Sequence, residues 1–303
     1  MIVCFDIGGS AIKGAITHSP ERIFPLPRRT TPLNDFRCFV ETLESVLDEA
    51  GGLPDRIAIS LTGVIDPETR RIKCANISCI DGRELAAELE AALHLPVVIA
   101  NDADCFALAE AGLGAGRGHR IVFGAILGTG VGGGLVVDGR LINAEGGFAG
   151  EWGHGPVAAS RAGHPPMAIP SFDCGCGQRG CVDTVGGARG LERLHETIHG
   201  RSLSSHDIIE AWQGGESGAA RTIDIFVDLV SSPLALVINI TGATIVPVGG
   251  GLSNSEALLA AIDSAVRQRI LRRFERPLVV RGECRVEPGI IGAALLGFGG
   301  KGQ

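Results

Sequence analysis

The sequence shows no positive charge balance, no leader-like pattern ahead of its first strand, no uninterrupted apolar run of membrane length and neither of the familiar helix-opening nucleotide loops. Its 34 acidic against 27 basic residues leave −7 at pH 7 and a pI near 5.6, which argues against a nucleic-acid surface. No basic segment followed by an apolar one precedes the first strand, and no uninterrupted apolar span is of membrane length. Cytoplasm is the expected compartment, with neither membrane nor nucleic acid as partner. Two glycine loops are present, Asp6-Ile7-Gly8-Gly9-Ser10 and Gly128-Thr129-Gly130-Val131-Gly132-Gly133-Gly134. Each is followed by strand-like sequence, Lys13 to Thr17 and Leu135 to Val137, whereas a Walker A loop or a dinucleotide fingerprint opens a helix.

An apolar strand running into glycine frees the backbone to turn and lets bare N–H groups approach an anion. Both loops therefore read as phosphate cradles. Asp6, at the end of the first strand, can reach a magnesium ion on phosphate oxygens, and Ser10 and Lys13 follow on the returning strand.

At 303 residues the chain exceeds the usual single core, and 45 glycines with 45% hydrophobic residues suit a glycine-punctuated α/β protein of two lobes. Strands are predicted over Ile2 to Phe5, Lys13 to Thr17, Ile57 to Leu61 and Val97 to Ala100, with helices over Phe36 to Ala50 and Arg83 to Leu93. Asp81 and Glu84 stand in capping-box spacing before the second of these helices. A helix follows Asn101-Asp102, and the glycines from Gly112 to Gly116 end it. The lobes are expected as residues 1–114, with a C-terminal helix of about 289–303 packing back, and 115–288. The second half shows a strand from Ile121 to Leu127, a hairpin turn at Asp138-Gly139 and an irregular stretch from about Ala144 to Val182. Helices from Ser217 to Ile240 and Glu256 to Arg272 flank the strand Thr244 to Val248 and the turn Gly249-Gly250-Gly251. The parallel order of elements in the two halves suggests an internal duplication.

Of nine cysteines, six are scattered and read as small buried hydrophobes, while Cys174, Cys176 and Cys181 cluster in one glycine-rich knot. In a reducing compartment three thiolates and one imidazole would complete a closed structural zinc site. His154 and His164 are both available as the fourth ligand, and proximity favours His164. Asp102 stands where a strand gives way to a helix. It can cap the first turn, or it can serve as a general base accepting a hydroxyl proton during phosphoryl transfer.

The two glycine loops, Asn101-Asp102-Ala103, Gly150-Glu151-Trp152-Gly153-His154, the cysteine knot and Gly249-Gly250-Gly251-Leu252-Ser253 together resemble the ROK family of sugar kinases, relatives of hexokinase and actin. These six motifs span nearly the whole chain in order. The resemblance implies an α/β, actin-like and hexokinase-like (ribonuclease H-like) two-lobed ATPase fold with its active site in the cleft between lobes. It implies an ATP-dependent kinase with magnesium on the nucleotide, structural zinc and a homodimeric assembly. Asp102 is then the base, and Asn76, Asn101, Glu151, His154 and Asp183 contact the sugar. Gly8, Gly9, Ser10, Lys13, Gly128, Thr129 and Gly130 correspond to the phosphate loops, and Gly249, Gly250 and Gly251 to the adenosine side. The resemblance also makes His154, rather than His164, the zinc ligand beside Cys174, Cys176 and Cys181.

Two positions depart from the family pattern: Asp183 replaces a usual glutamate and Asp104 a usual asparagine. On a helix the side chains of residues 102 and 104 point apart. The interval from His154 to Cys174 is most similar to the bacterial N-acetyl-D-glucosamine kinases, which implies phosphorylation of that sugar's 6-hydroxyl; glucose, fructose, mannose and N-acetylmannosamine remain alternatives. A sugar-sensing repressor is disfavoured, since the first strand starts at Ile2 and the charge is acidic. A catalytically dead sugar binder is disfavoured by the intact Asp6, Asp102 and glycine loops.

Overall fold

The computed structural model describes residues 1–299. In chain order the elements are β1 (Ile2–Ile7), β2 (Ala11–Ser19), β3 (Arg22–Pro25), β4 (Arg29–Thr30), α1 (Phe36–Asp48), β5 (Arg56–Leu61), β6 (Val64–Ile65), β7 (Ile72–Lys73), α2 (Leu85–Leu93), β8 (Val97–Asn101) and α3 (Asp102–Leu113). They continue as β9 (Ile121–Leu127), β10 (Val131–Val137), β11 (Arg140–Leu141), β12 (Arg161–Ala162), β13 (Met167–Ala168), α4 (Asp183–Gly186), α5 (Ala188–His199), α6 (Ser205–Gln213) and α7 (Ser217–Thr241). The last are β14 (Val246–Gly249), α8 (Glu256–Arg267), β15 (Val279–Arg281) and α9 (Pro288–Gly299). Two compact units result. One comprises Met1–Arg117, Gly134–Ala149 and the chain from Cys284; the other comprises Gly118–Gly133 and Gly150–Glu283. The hairpin strands beyond Gly133 and the last helix thus belong with the first unit, and part of the proposed 289–303 helix lies outside the described residues.

The first unit is built on a mixed sheet of order β3-β2-β1-β5-β8, with β4 also on β2. β2 runs antiparallel to β1, while β5 and β8 run parallel to it. Side chains along β1 alternate between two buried faces as the pleat demands. Val3, Phe5 and Ile7 pack on Phe39, Leu43 and Val46 of α1 and on Leu85 and Leu89 of α2. Ile2 and Cys4 face Ile290, Ala293 and Ala294 of α9 on the other side. Truncating Phe39 to alanine would cost about 3–5 kcal/mol by leaving a cavity.

The second sheet has order β11-β10-β9-β14-β15, with β14 parallel to both β9 and β15. Each sheet is therefore a hairpin around a glycine loop followed by two parallel strands, and a helix leaves the last strand of each: α3 after β8, α9 after β15. That common order bears out the duplication suggested by the sequence. Asp138 (φ 51°) and Gly139 (φ 74°) make the two-residue β10–β11 turn, as the hairpin signal predicts.

Two local expectations are corrected. The Asp81/Glu84 capping box does not form: Asp81 Oδ1 accepts from the Cys74 amide at 2.8 Å, and Glu84, the residue before α2, makes no side-chain cap. The helix at Glu256 ends at Arg267 rather than Arg272. By length and mean hydropathy α7, with 25 residues, is apolar enough to cross a membrane, although its apolar run is interrupted. It also bears Arg221, Asp224 and Asp228, and it packs on α5, α6 and α8 as a core helix does.

Candidate active site

In the first unit, the turn from β1 into β2 carries Gly8, Gly9 and Ser10, closed by the Gly8 amide on the Ala11 carbonyl at 3.1 Å. Asp6 is held from two sides. Ser60 donates to its Oδ1 at 3.0 Å and Lys13 Nζ to its Oδ2 at 3.1 Å. Lys13 also donates to Glu287 Oε2 at 2.7 Å. Burial works against this ammonium, but Glu287 and Asp6 together hold its pKa above the usual lysine value.

A cavity of about 270 Å³ brings Asp6, the first glycine loop, Lys13 and Asp102 together. Arg28 and Thr62 line it as well, and no sequence signal pointed to either. Asp102 opens α3, and its Oδ1 accepts from the Ala103 amide at 2.8 Å. The cap proper is Asn101, whose Oδ1 accepts from the same amide at 2.9 Å. The Asn101 Nδ2 donates to the Gly63 carbonyl at 2.9 Å, so this side chain fixes the end of β8 and the start of α3. Asn76 lies behind the first loop: a Cβ on Gly9 would meet its carbonyl oxygen at 3.5 Å. Asp104 is buried and turned away from Asp102, as the i, i+2 spacing requires. Its carboxylate accepts from Asn143 Nδ2 at 3.3 and 3.0 Å.

In the second unit, the second loop is braced through its carbonyls. The Ala188 amide at the start of α5 donates to the Gly128 carbonyl at 2.8 Å, and Gly128 donates to Gly130 at 3.0 Å. Gly250, at φ 85°, lies so close that a Cβ would stand 2.5 Å from the Leu127 carbonyl carbon. Only glycine fits there, and the turn Gly249–Gly251 is thereby set against the loop. Asp183 Oδ1 accepts from the Val131 amide at 2.7 Å and occupies the space a Cβ on Gly130 would need.

The cysteine knot comes together with His154. The Cys174 Sγ is 3.7 Å from His154 Nδ1, and Cys176 and Cys181 are 3.7 Å apart through sulfur. All four donor atoms lie within 4.8 Å of one another. A tetrahedral zinc with Zn–S of about 2.3 Å separates its sulfurs by roughly 3.8 Å, so the donor set fits that ion. Burial pushes the Cys174 thiol up to about 12, whereas the Gln178 backbone amide pulls exposed Cys176 down to about 7. Cys176 is thus the sulfur readiest to bind as thiolate. The proximity argument for His164 fails: its Nδ1 lies 3.0 Å from Asp224 Oδ1 and its amide donates to Asp224 Oδ2 at 2.6 Å. The other His154 nitrogen, Nε2, faces Glu151 Oε2 at 3.7 Å. Burial raises the Glu151 carboxyl, and Asp183 raises it further against the lowering effect of His154.

A family model described as "ROK family" matches residues 2–298. The chain belongs to the ROK family. Among curated ROK relatives, it is 35% identical over 297 residues to N-acetylgalactosamine kinase AgaK of Shewanella sp. (strain ANA-3), covering 97% of this chain and 96% of the relative. It is 34% identical to N-acetyl-D-glucosamine kinase of Photobacterium profundum, covering 96% and 97%. Among solved structures, the ROK hexokinase of Thermus thermophilus superposes with a TM-score of 0.81 at 28% identity, covering 97% of each chain. A Streptomyces griseus ROK glucokinase in complex with glucose and AMPPNP gives 0.72 at 26%, again covering 97% of each. The fold is accordingly the hexokinase-like α/β fold of ROK proteins.

Proposed function

We propose that this ROK protein is an ATP-dependent sugar kinase that transfers the γ-phosphate to the 6-hydroxyl of N-acetyl-D-glucosamine. The observation carrying this reading is the cavity that joins Asp102 to the first glycine loop and Asp6, in a chain similar over nearly its full length to N-acetylhexosamine kinases. In the proposed reaction the Asp102 carboxylate accepts the hydroxyl proton while Glu151, His154, Asp183, Asn76 and Asn101 serve the sugar. Gly8, Gly9, Ser10, Lys13, Gly128, Thr129 and Gly130 serve the phosphates, and Gly249, Gly250 and Gly251 the adenosine. The Asn101 amide is already engaged by backbone at both ends, which leaves its second N–H to serve the sugar.

Magnesium fits at Asp6, a hard oxygen donor beside a glycine cradle, and would neutralise phosphate charge there. Zinc fits the His154, Cys174, Cys176 and Cys181 set and would act by fixing the loop that bears Glu151 and His154. A cytoplasmic homodimer completes the proposal.

A second reading has N-acetylgalactosamine as substrate, favoured by the similarity to the Shewanella enzyme. The two sugars are epimers at carbon 4, so the contacts to that hydroxyl decide between them. ADP release with MgATP across N-acetylglucosamine, N-acetylgalactosamine, N-acetylmannosamine, glucose, mannose and fructose tests both. The highest kcat/KM on N-acetylglucosamine supports the first reading, and the highest on N-acetylgalactosamine the second. Silence on all six sinks both.

A further inference from the structure

The cation expected from the sequence to meet the phosphate, Lys13, is already committed. One ammonium faces two carboxylates, Asp6 at 3.1 Å and Glu287 at 2.7 Å. With Asp102 on the same cavity, that leaves the wall short of positive charge for a triphosphate. Arg28 lines this cavity too, and among the described residues its guanidinium enters no hydrogen bond or ion pair. Its neighbour Arg29 differs, being paired with Glu49.

The backbone around Arg28 is fixed on the first glycine loop. The Leu26 amide donates to the Gly14 carbonyl at 2.8 Å, Arg29 and Thr30 pair with Ile12 and Ala11, and Thr31 Oγ1 donates to the Gly8 carbonyl at 2.6 Å. Arg28 is therefore an exposed cationic side chain on a fixed stretch of backbone beside the cradle. A guanidinium offers a planar fork of donors that matches two phosphoryl oxygens at once.

We propose that Arg28 grips the γ-phosphoryl group of ATP in this cavity; the proposal rests on the kinase reading above. In the step it serves, a bond forms from the sugar oxygen to the γ-phosphorus as the bond from that phosphorus to the β,γ-bridging oxygen breaks. ADP leaves with the electron pair of the broken bond, and the hydroxyl proton passes to Asp102. Arg28 neutralises charge on the non-bridging oxygens throughout, the role that preorganised cations play in such transfers.

The test titrates wild type, Arg28→Ala and Arg28→Lys with MgADP and with MgAMPPNP, which carries a γ-phosphoryl group that is not transferred, and measures ADP release on the sugar panel. Arg28→Ala is expected to lose about 10-fold to 100-fold in MgAMPPNP affinity with MgADP affinity unchanged. Its kcat should fall about 10²-fold or more at an unchanged sugar KM. Arg28→Lys should recover only part of both losses, and added guanidinium should partly rescue Arg28→Ala, which a merely structural role would not allow. Equal MgAMPPNP affinity in wild type and Arg28→Ala overturns the proposal, as does equal loss for MgADP and MgAMPPNP or no binding of MgAMPPNP to wild type. If wild type turns over no sugar while Arg28→Ala still loses its preference for MgAMPPNP, the γ-phosphoryl site stands and the sugar-kinase reading falls.

Discussion

The two glycine loops occupy equivalent places in two similarly ordered sheets, yet they are supported by opposite means. The first is surrounded by charge: Asp6, Lys13 and Glu287 form one chain of ion pairs behind it. The second is supported by backbone, with the amides of α5 on its carbonyls, Gly250 pressed against Leu127 and the Asp183 carboxylate on Val131. A duplicated framework has kept its turn and separated its chemistry. One copy is set among charges, and the other among backbone amides and close-packed glycines.

The sharpest break in this comparison is on the charged side. Asp102→Asn should reduce kcat by about 10²- to 10⁴-fold while sugar binding measured by calorimetry persists; turnover near wild type would remove Asp102 from the chemistry. On the other side, Cys181→Ser should remove bound zinc and lower the thermal midpoint by about 5–10 °C. Metal analysis beside a melting curve reads both, and a zinc-replete, equally stable variant would refute the metal assignment.

A matched pair of substitutions then compares the loops directly. No atom lies within 4 Å of a Cβ added at Gly8, whereas one at Gly130 runs into Asp183. Gly130→Ala should cost about 1–3 kcal/mol, and Gly8→Ala should leave the melting temperature alone while raising the KM for ATP, because the methyl group stands where phosphate must approach. Equal stability of the two variants would contradict the contrast. The smallest effect is expected from Glu287→Gln. It should lower the Lys13 pKa seen by NMR, since Glu287 helps to raise it, and move the midpoint by no more than about 2 °C for a half-exposed pair.

Much of this was legible in the sequence because glycine, cysteine and strand-end aspartate carry their meaning locally. The loops, the knot and Asp102 were found from a few adjacent residues. What escaped notice comes from afar. Arg28 sits in a segment without a motif, and only the pinning of Leu26 and Thr31 on the first hairpin brings it to the cavity beside Asp6 and Asp102. Glu287 reaches Lys13 across 274 residues. His154 beat His164 as the knot's fourth member for the same reason, since sequence proximity says nothing of how a loop returns on itself. The Asp81/Glu84 spacing misled because Asp81 was needed elsewhere, on the Cys74 amide.

The position of α9 has a consequence for how the protein is made. A Cβ on Gly289 would strike Asp6 Oδ1, and one on Gly292 would strike the backbone of Cys105, so this late helix lies tightly on the earliest strand and on the helix that bears Asp102. A ribosome emits β1 first and must deliver residue 289 before Asp6 gains its cover, some fifteen seconds or more at about 5–20 residues per second. Throughout synthesis the apolar face of β1 awaits its lid. A nascent chain cut short by a premature stop before α9 thus leaves Ile2 and Cys4 exposed, apolar surface of the kind that chaperones and proteases act on.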